Sequence, residues 1–570
     1  MKKKDLPILG HWRYLFVILI MLSVGSFLSY RALNIQVLDN GFLKDQGKAR
    51  HLRTIDLPAH RGMILDRNDE VLAISTPMAT VWANPQTVPL DHRGLASLAS
   101  IIKLPLDDIR ELLKDKSTKE FVYLRRHINP GLADGIRKLD IPGVSILREY
   151  RRYYPTGEVA AHVVGFTDTD DKGLEGIEYH ANEDLKGRMG QDKVIKDRMG
   201  RIIDSIDYIK APQAGQNINL SIDKRLQYIA YRELKKAVAQ HKAKSASLVV
   251  LDTQTGEVLA MVNEPAFNPN NYTNSDPSKY RNLAATNLFE PGSTIKPFIA
   301  AAALKTRQVS ASTPVSTSPG YMRVGRATIR DVHNYGDLDL AGVIKKSSNV
   351  GIVKIALTME KENLWESMSD FGFGELTESN FPGEAQGYLP FFGEWKKLTQ
   401  ATLSFGYGIS CTPLQLAQSY ALFANKGFLK PVSMYRLENA PKGKRVLSEK
   451  VSAAVLKMME GVVSREGTAI KAKIPGYRVA GKTGTMKKLG PDGYLDDKYL
   501  AVFAGVVPVS QPRLVGVVLF DDPSNGEYYG GAVAAPVFSI VMSEALRLLN
   551  VAPDEVKEPT VRMASLENRE

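Results

Sequence analysis

Strand-like segments stand at both ends of the C-terminal half of this chain, and helical patterns fill the space between. SASLVVLDTQTGEVLAMV (245–262) reads as two apolar strands joined by a Thr-Gly turn. Further strand candidates come only with the approach to AGKTGT near 480, YLAVFAGVVP near 499 and RLVGVVLFDD near 513. Residues 290–430 are mostly helical in pattern, and PVFSIVMSEALRLL closes the region as a helix. Upstream, NINLSIDKRLQ opens a long helix with Asp223 as its N-cap. Strands that must pair across a helical middle dictate one mixed domain whose sheet joins its two termini.

With 570 residues the chain has room for two or three domains and an ample core. The net charge of +12 could suggest nucleic acid, but the basic residues are scattered, with no dense Lys/Arg stripe and interleaved aromatics. No nucleic-acid partner is expected; an anionic polymer or a membrane surface fits the sign equally well. Cys411 is the single cysteine, which removes intramolecular disulfides and cysteine-cluster metal sites. No metal and no cofactor is expected.

The N-terminus is basic (MKKKDLPILGHWR), and Tyr14 to Tyr30 then carries no charge. Seventeen helical residues span about 26 Å, close to a bilayer core, and Arg31 can snorkel. The stretch is either an uncleaved anchor or a signal peptide cut near Ser23-Val24-Gly25-Ser26. Its continuation through Phe27, Leu28 and Tyr30 favours an anchor over 14–33 with residues 1–13 cytoplasmic. Both readings export the rest of the protein.

Residues 34–222 form a loop-rich and strand-rich region suited to a pedestal or interaction module. RTIDLPAHRGMILDRNDEVLA (53–73) reads as short strands with Arg61-Gly62 and Asp66-Arg67-Asn68 at turns, and ELLKDKS and GLADGIRKL as short helices. GLEGIEYHANEDLKGRMG (173–190) reads as an amphipathic helix closed by glycines. The C-terminal domain is set at 223–550, and residues 551–570 form a polar, weakly ordered tail.

Within FEPGSTIKPFIAAAAL (289–304), Pro291-Gly292 makes a tight turn. Pro297 is tolerable only in the first turn of a helix, where its missing N–H would have no partner anyway. Ser293 therefore sits at a helix N-terminus and Lys296 one turn on, on the same face, its amine able to approach the serine oxygen. Burial and the positive helix end lower the lysine pKa, so the pair can act as nucleophile and base. Ser100 and Lys103 share the S-x-x-K spacing, but there a helix ends near Pro105 instead of beginning. Two more motifs follow: Ser347-x-Asn349 at a helix start, and Lys482-Thr483-Gly484-Thr485 at the end of an expected strand.

S-x-x-K, S-x-N and K-T-G in this order form the signature of penicillin-binding proteins and serine β-lactamases. RGMILDRNDEVLA, YYPTGEVAAHVVGF (153–166), GLEGIE, SFGYGISCTPLQLA (404–417) and YYGGAVAAPVF (528–538) extend the likeness from residue 53 to about 540. The chain resembles the class B penicillin-binding proteins of the cell-division, FtsI type. The resemblance implies an α+β transpeptidase domain, an antiparallel sheet with helices on both sides, behind an elongated pedestal and one transmembrane helix. It implies a periplasmic, inner-membrane enzyme at the division septum that cross-links peptidoglycan stem peptides and is blocked covalently by β-lactams.

Carried over residue by residue, the likeness makes Ser293 the nucleophile on a D-Ala-D-Ala donor. Lys296 takes the serine proton, and Ser347, aided by the charge of Lys482, relays one to the leaving amine. Asn349 holds the donor amide. Thr483 and Thr485, flanking Gly484, bind the terminal carboxylate, and the N–H groups of Ser293 and Thr485 form the oxyanion hole. Tyr407, Tyr499, Tyr528 and Tyr529 resemble the family's aromatic cleft lining. An elongation-type transpeptidase shares this chemistry. A β-lactamase would need a deacylating glutamate, and Glu375, Glu378 and Glu384 all lack an asparagine four residues on. No glycosyltransferase segment is recognised before the transpeptidase part, which implies a membrane-embedded glycan polymerase partner of the FtsW type.

Overall fold

The computed structural model describes residues 11–38, 41, 52–196, 202–490 and 493–555. Helix α1, His11–Leu33, carries no charge between Arg13 and Arg31, and none of its residues is buried. It lies in a candidate membrane span, His11–Gln36, which suggests an N-terminal membrane anchor. Most of the basic tail, residues 1–10, and the end of the C-terminal tail, 556–570, lie outside the described residues.

The chain divides into two compact units. The first comprises residues 1–59, 77–150 and 188–214. Here Leu52–Leu57 pairs antiparallel with Gly190–Lys196, which pairs with Ile202–Lys210. A separate small core gathers Val81, Leu95, Leu98, Ile109 and Leu113. Helix Gly94–Ile102 ends at Lys103, whose φ of 52° is left-handed, and Ser100 and Lys103 are both exposed. The second S-x-x-K pair is thus a surface feature at a helix end.

The second unit comprises residues 60–76, 151–187 and 215–570. Helix α2, Lys224–His241, is capped by Asp223, whose carboxylate accepts from Arg225 N at 3.0 Å. Strands β1 (Ser245–Asp252) and β2 (Val258–Glu264) follow as the expected hairpin. The helical middle supplies α3 (Lys296–Lys305), α4 (Leu340–Lys346), α5 (Asn349–Ala356) and α6 (Pro413–Ala424). The chain returns to the sheet through β3 (Ala480–Gly490), β4 (Gly493–Val507) and β5 (Leu514–Asp521), and closes with α7 (Gly530–Leu548).

The sheet is antiparallel throughout, in the order β2-β1-β5-β4-β3. Its first and last strands are therefore joined through β5, as a sheet closing across the helical middle requires. α2 and α7 pack together on one face, where Gly505 and Gly516 lie under the Phe538 ring. α6 packs against β1, β4 and β5, and all twelve of its residues are buried. Its interior polar side chains donate within the fold: Gln415 to Gly372 O and Glu375 O, Gln418 to Lys430 O, and Ser419 to Gln415 O.

Three sequence expectations need correction. Lys482–Thr485 lies near the beginning of β3, not at a strand end: the ladder runs through the motif, with Lys482 opposite Ala504 and Thr485 opposite Ala501. The helix expected over 173–190 is two short ones, Gly176–His180 and Asn182–Leu185. Its register is spent on charge: Glu178 is fully buried between Arg61 and Arg152, at 2.8 and 2.6 Å. Arg61, expected at a turn, is instead an interior residue outside any turn, whereas Asp66 does form its turn by accepting from Asn68 N and Glu70 N.

Candidate active site

Ser293 occupies a single 3-10 turn, Gly292–Ile295, that runs directly into α3 with Pro297 in the first helical turn. Gly292 has a φ of 52°, and a Cβ there would stand 2.7 Å from Met486 Cε. Gly484 on β3 is tighter still: its Cβ would lie 3.0 Å from Pro291 O and 2.5 Å from Val502 Cγ1. Glycine in the K-T-G motif thus lets the edge strand press against the serine turn, bringing Thr485 beside Ser293. Both residues line one cleft.

Lys296 is fully buried, and its side chain turns towards the S-x-N segment. Nζ donates to Ser347 O and Asn349 Oδ1, both at 2.7 Å, and to Ser347 Oγ at 3.3 Å. Among the described residues it makes no hydrogen bond to Ser293 Oγ, unlike the direct approach expected from spacing. The reason is local: two carbonyl-type oxygens that can only accept outcompete a hydroxyl for the amine protons. A neutral amine satisfies both with its two hydrogens and keeps its lone pair for a hydroxyl.

Lys482, equally buried, donates to Ser347 Oγ at 2.9 Å and to Thr483 O at 3.1 Å. Ser347 reaches both amines because it closes α4 in the left-handed region, with a φ of 58°. Burial lowers the Lys482 pKa to about 7. Burial, and secondarily the nearby Lys482 charge, also pushes Lys296 well below the usual lysine range, while Asp331 opposes the shift. Two amines poised to lose or share a proton around one hydroxyl can activate a serine and shuttle a proton.

The cleft beside Ser293 encloses about 780 Å³ and runs from Thr485 and Asn349 to the Ala327–Arg330 strand, Tyr407 and Tyr494. Thr483 and Thr485 project from the same strand. Thr483 Oγ1 lies 2.8 Å from Thr468 Oγ1, and Thr485 Oγ1 accepts from Gly530 N at 3.0 Å.

Residues 246–543 match the family described as the penicillin binding protein transpeptidase domain, and residues 56–220 match the penicillin-binding protein dimerisation domain. The peptidoglycan D,D-transpeptidase FtsI of Escherichia coli K12 is 43% identical over 549 residues, covering 95% of this chain and 93% of its own. This chain belongs to the class B penicillin-binding proteins. The probable peptidoglycan D,D-transpeptidase PenA of Neisseria gonorrhoeae is 39% identical over 555 residues, 96% of this chain and 94% of its own. Among solved structures, a peptidoglycan synthetase from Bifidobacterium adolescentis is 26% identical with a TM-score of 0.70, covering 89% of this chain and 98% of that one.

In this penicillin-binding protein the predicted residues Ser293, Lys296, Ser347, Asn349, Lys482, Thr483, Gly484 and Thr485 converge. The tyrosines divide. Tyr407 lines the cleft, edge-on to Tyr494 with ring centroids 5.2 Å apart. Tyr499, Tyr528 and Tyr529 instead form a continuous stack, at 4.1 and 4.6 Å, and do not line that cleft.

Sequence reasoning missed three residues. Tyr494 donates to Glu290 Oε1 at 2.9 Å, and Gly408 N donates to the same carboxylate at 2.8 Å, tying the β3–β4 arm and the Tyr407 loop to the serine turn. Asp331 accepts from Ser348 Oγ, Asn349 N and Val350 N. The Glu290 position, one residue before the Pro-Gly turn, was the one local hint. Glu384 is held inside its own loop by Thr377 and Ser379.

Proposed function

We propose that this penicillin-binding protein cross-links septal peptidoglycan through a Ser293 acyl-enzyme, with the motif residues in the roles their positions suggest. The observation that carries this reading is the meeting of two buried amines, Lys296 and Lys482, at Ser347 Oγ beside the Ser293 turn. Ser293 Oγ attacks the carbonyl carbon of the penultimate D-Ala, and Lys296 accepts its proton. The carbon–nitrogen bond to the terminal D-Ala breaks, and the departing amine takes a proton through Ser347. A free amine on a neighbouring stem peptide then attacks the ester, forming the new amide and returning Ser293 to its hydroxyl form. The proton that the attacking amine loses is relayed by the same buried amines to Ser293 Oγ.

Lys482, Thr483 and Thr485 hold the donor carboxylate, Asn349 the donor amide, and the Ser293 and Thr485 N–H groups the developing oxyanion. A β-lactam forms the same ester and stays. Tyr407 gives the donor an aromatic wall; Tyr499, Tyr528 and Tyr529, expected in the same lining, stack on one another outside that cleft and are given no substrate role. We assign residues 14–33 as the anchor, 34–222 as the pedestal and 223–550 as the catalytic domain, with the N-terminus cytoplasmic and the catalytic domain periplasmic. A membrane-embedded glycan polymerase of the FtsW type then supplies the strands.

Mass spectrometry of a penicillin adduct tests the reading. The adduct is expected on Ser293, lost in Ser293→Ala and kept in Ser100→Ala. Labelling elsewhere, or rapid hydrolytic turnover of the penicillin, would overturn it.

A further inference from the structure

We propose that Arg330 selects the donor, by pairing with a free side-chain carboxylate on the residue that precedes D-Ala-D-Ala in the stem peptide. The inference rests on the reading above, which places the donor in the Ser293 cleft.

Arg330 ends a two-stranded hairpin, Tyr321–Val324 with Ala327–Arg330, whose register sets Tyr321 opposite Arg330 and Arg323 opposite Thr328. Side chains alternate across a strand, so the hairpin sorts its residues by face. Val324 and Ile329 are buried in a small core with Val353 of α5, and Met322 packs against it. Tyr321, Arg323, Thr328 and Arg330 are exposed on the other face. The apolar face thus seats the hairpin on the helix that begins at Asn349. Asn349 Nδ2 then donates to Arg330 O at 3.0 Å, which sets the arginine beside the amide assigned to the donor backbone.

Among the described residues, Arg330 is the only charged one that lines the cleft. The acids that adjoin the lining are already engaged. Asp331 accepts from Ser348 Oγ, Asn349 N and Val350 N, and Glu290 accepts from Tyr494 and Gly408 N. The Arg330 guanidinium makes no hydrogen bond and no ion pair among the described residues. It lies over the Tyr321 ring instead, 5.5 Å from the centroid. A ring face steadies a guanidinium without using its N–H donors, so the fork stays open to a ligand.

The rest of the lining is apolar or hydroxyl-bearing, as at Ile329, Leu398, Phe405 and Thr402, and offers this cation no partner. The anion must come with the substrate. The donor's terminal carboxylate is assigned to Lys482, Thr483 and Thr485, so Arg330 meets a second one further up the peptide. Each extended residue adds about 3.3 Å, and one residue with a long side chain crosses a cleft of about 780 Å³. A planar fork takes a carboxylate through two parallel hydrogen bonds. A diamino diacid before D-Ala-D-Ala satisfies it. A plain diamine offers only a second cation, which the arginine repels.

Two synthetic donors test this, both N-acylated and ending in D-Ala-D-Ala. One carries meso-diaminopimelate at the preceding position and the other its side-chain primary amide, so they differ in charge and hardly in size. The readout is the donor concentration that halves the rate of Ser293 labelling by a fluorescent penicillin in the full-length, detergent-solubilised enzyme. The wild type should need about fivefold less of the acid than of the amide. In Arg330→Gln that preference should vanish, through weaker binding of the acid donor alone. Arg330→Lys, which keeps the charge but not the fork, should retain part of it. Arg326→Gln removes the same charge from the exposed hairpin turn outside the cleft and should keep all of it. No preference in the wild type, a preference that survives Arg330→Gln, or an equal loss in Arg326→Gln overturns the proposal. Labelling of the wild type at Ser293 without donor is scored separately, so failure of the nucleophile assignment is distinguishable from failure of this one.

Discussion

Lys482 Nζ lies 2.9 Å from Ser347 Oγ although the two residues are 135 positions apart, and the amine is fully buried. Burial brings its pKa down to about 7, against about 10.4 for an unperturbed lysine. Between those values the unfolded chain binds a proton that the folded chain does not. Stability from this group therefore rises with pH across the window and is lowest below it. Replacing Lys482 with Met removes the titration. The difference in unfolding free energy between variant and wild type, followed from about pH 7 to 10, should shrink steadily. A pH-independent difference would mean that Lys482 stays charged when folded. Acylation should fall at every pH.

Gly406 carries a second geometric demand. Its φ is 89°, and a Cβ would stand 2.2 Å from Gly292 O and 2.4 Å from Gly292 N. Those are backbone atoms of the serine turn, so neither can swing aside. Gly406→Ala should cost roughly 2–3 kcal/mol or more and slow acylation sharply by displacing Ser293. Gly408→Ala is the control, because φ there is 77° but no atom lies within 4 Å of the added Cβ. It should cost only about 1 kcal/mol of backbone strain. Denaturant unfolding and labelling rates on both variants separate strain from collision.

Glu178 sits between Arg61 and Arg152, and the three are 0%, 2% and 5% exposed. Arg61 also donates to Glu178 O, Asp171 O and Asn182 Oδ1. Glu178→Gln leaves two interior guanidinium groups facing a neutral amide, which should destabilise the second unit by about 3–5 kcal/mol. The full replacement Arg61→Met/Glu178→Leu/Arg152→Met removes all three charges together and should recover much of that loss. Calorimetric melting distinguishes the two. If the single variant melts like wild type, the triad contributes nothing in this setting.

Local chemistry explains which of these features could be read before folding. Pro291-Gly292 and Pro297 mark a helix start by their own backbone limits, so the serine turn was visible in a few residues. The two strand groups were visible because buried β-strands are continuously apolar. Asp331, Glu290 and Tyr494 were not visible, since each gains its role from a partner brought near by the fold: Tyr494 is 204 positions from Glu290. The 173–190 segment misled for a related reason. Its helical period is real, but the buried position belongs to Glu178, which no hydrophobic pattern marks, and Gly176 with a φ of 59° breaks the run. The aim of Lys296 was likewise hidden, because spacing along α3 places the amine near Ser293 without revealing the competing acceptors on Ser347 and Asn349.

Helix α1 makes the last prediction. Its side chains include Leu15, Phe16, Ile18, Leu19, Met21 and Leu22, each more than half exposed. In water such a surface would drive aggregation; in a bilayer it is matched by lipid. The apolar stretch His11–Gln36 is 26 residues long, more than the roughly 20 that a helix needs to span the hydrocarbon core. The Ser293 turn, the S-x-N segment and the K-T-G strand all belong to the other unit. A chain beginning at residue 52 should therefore stay in solution without detergent, while the full chain sediments with membranes. Its rate of Ser293 labelling should match that of the detergent-solubilised full chain within about twofold, since distant sites contribute independently. A shortened chain that is soluble yet labels far more slowly would show that the N-terminal segment acts on the site as well as on location.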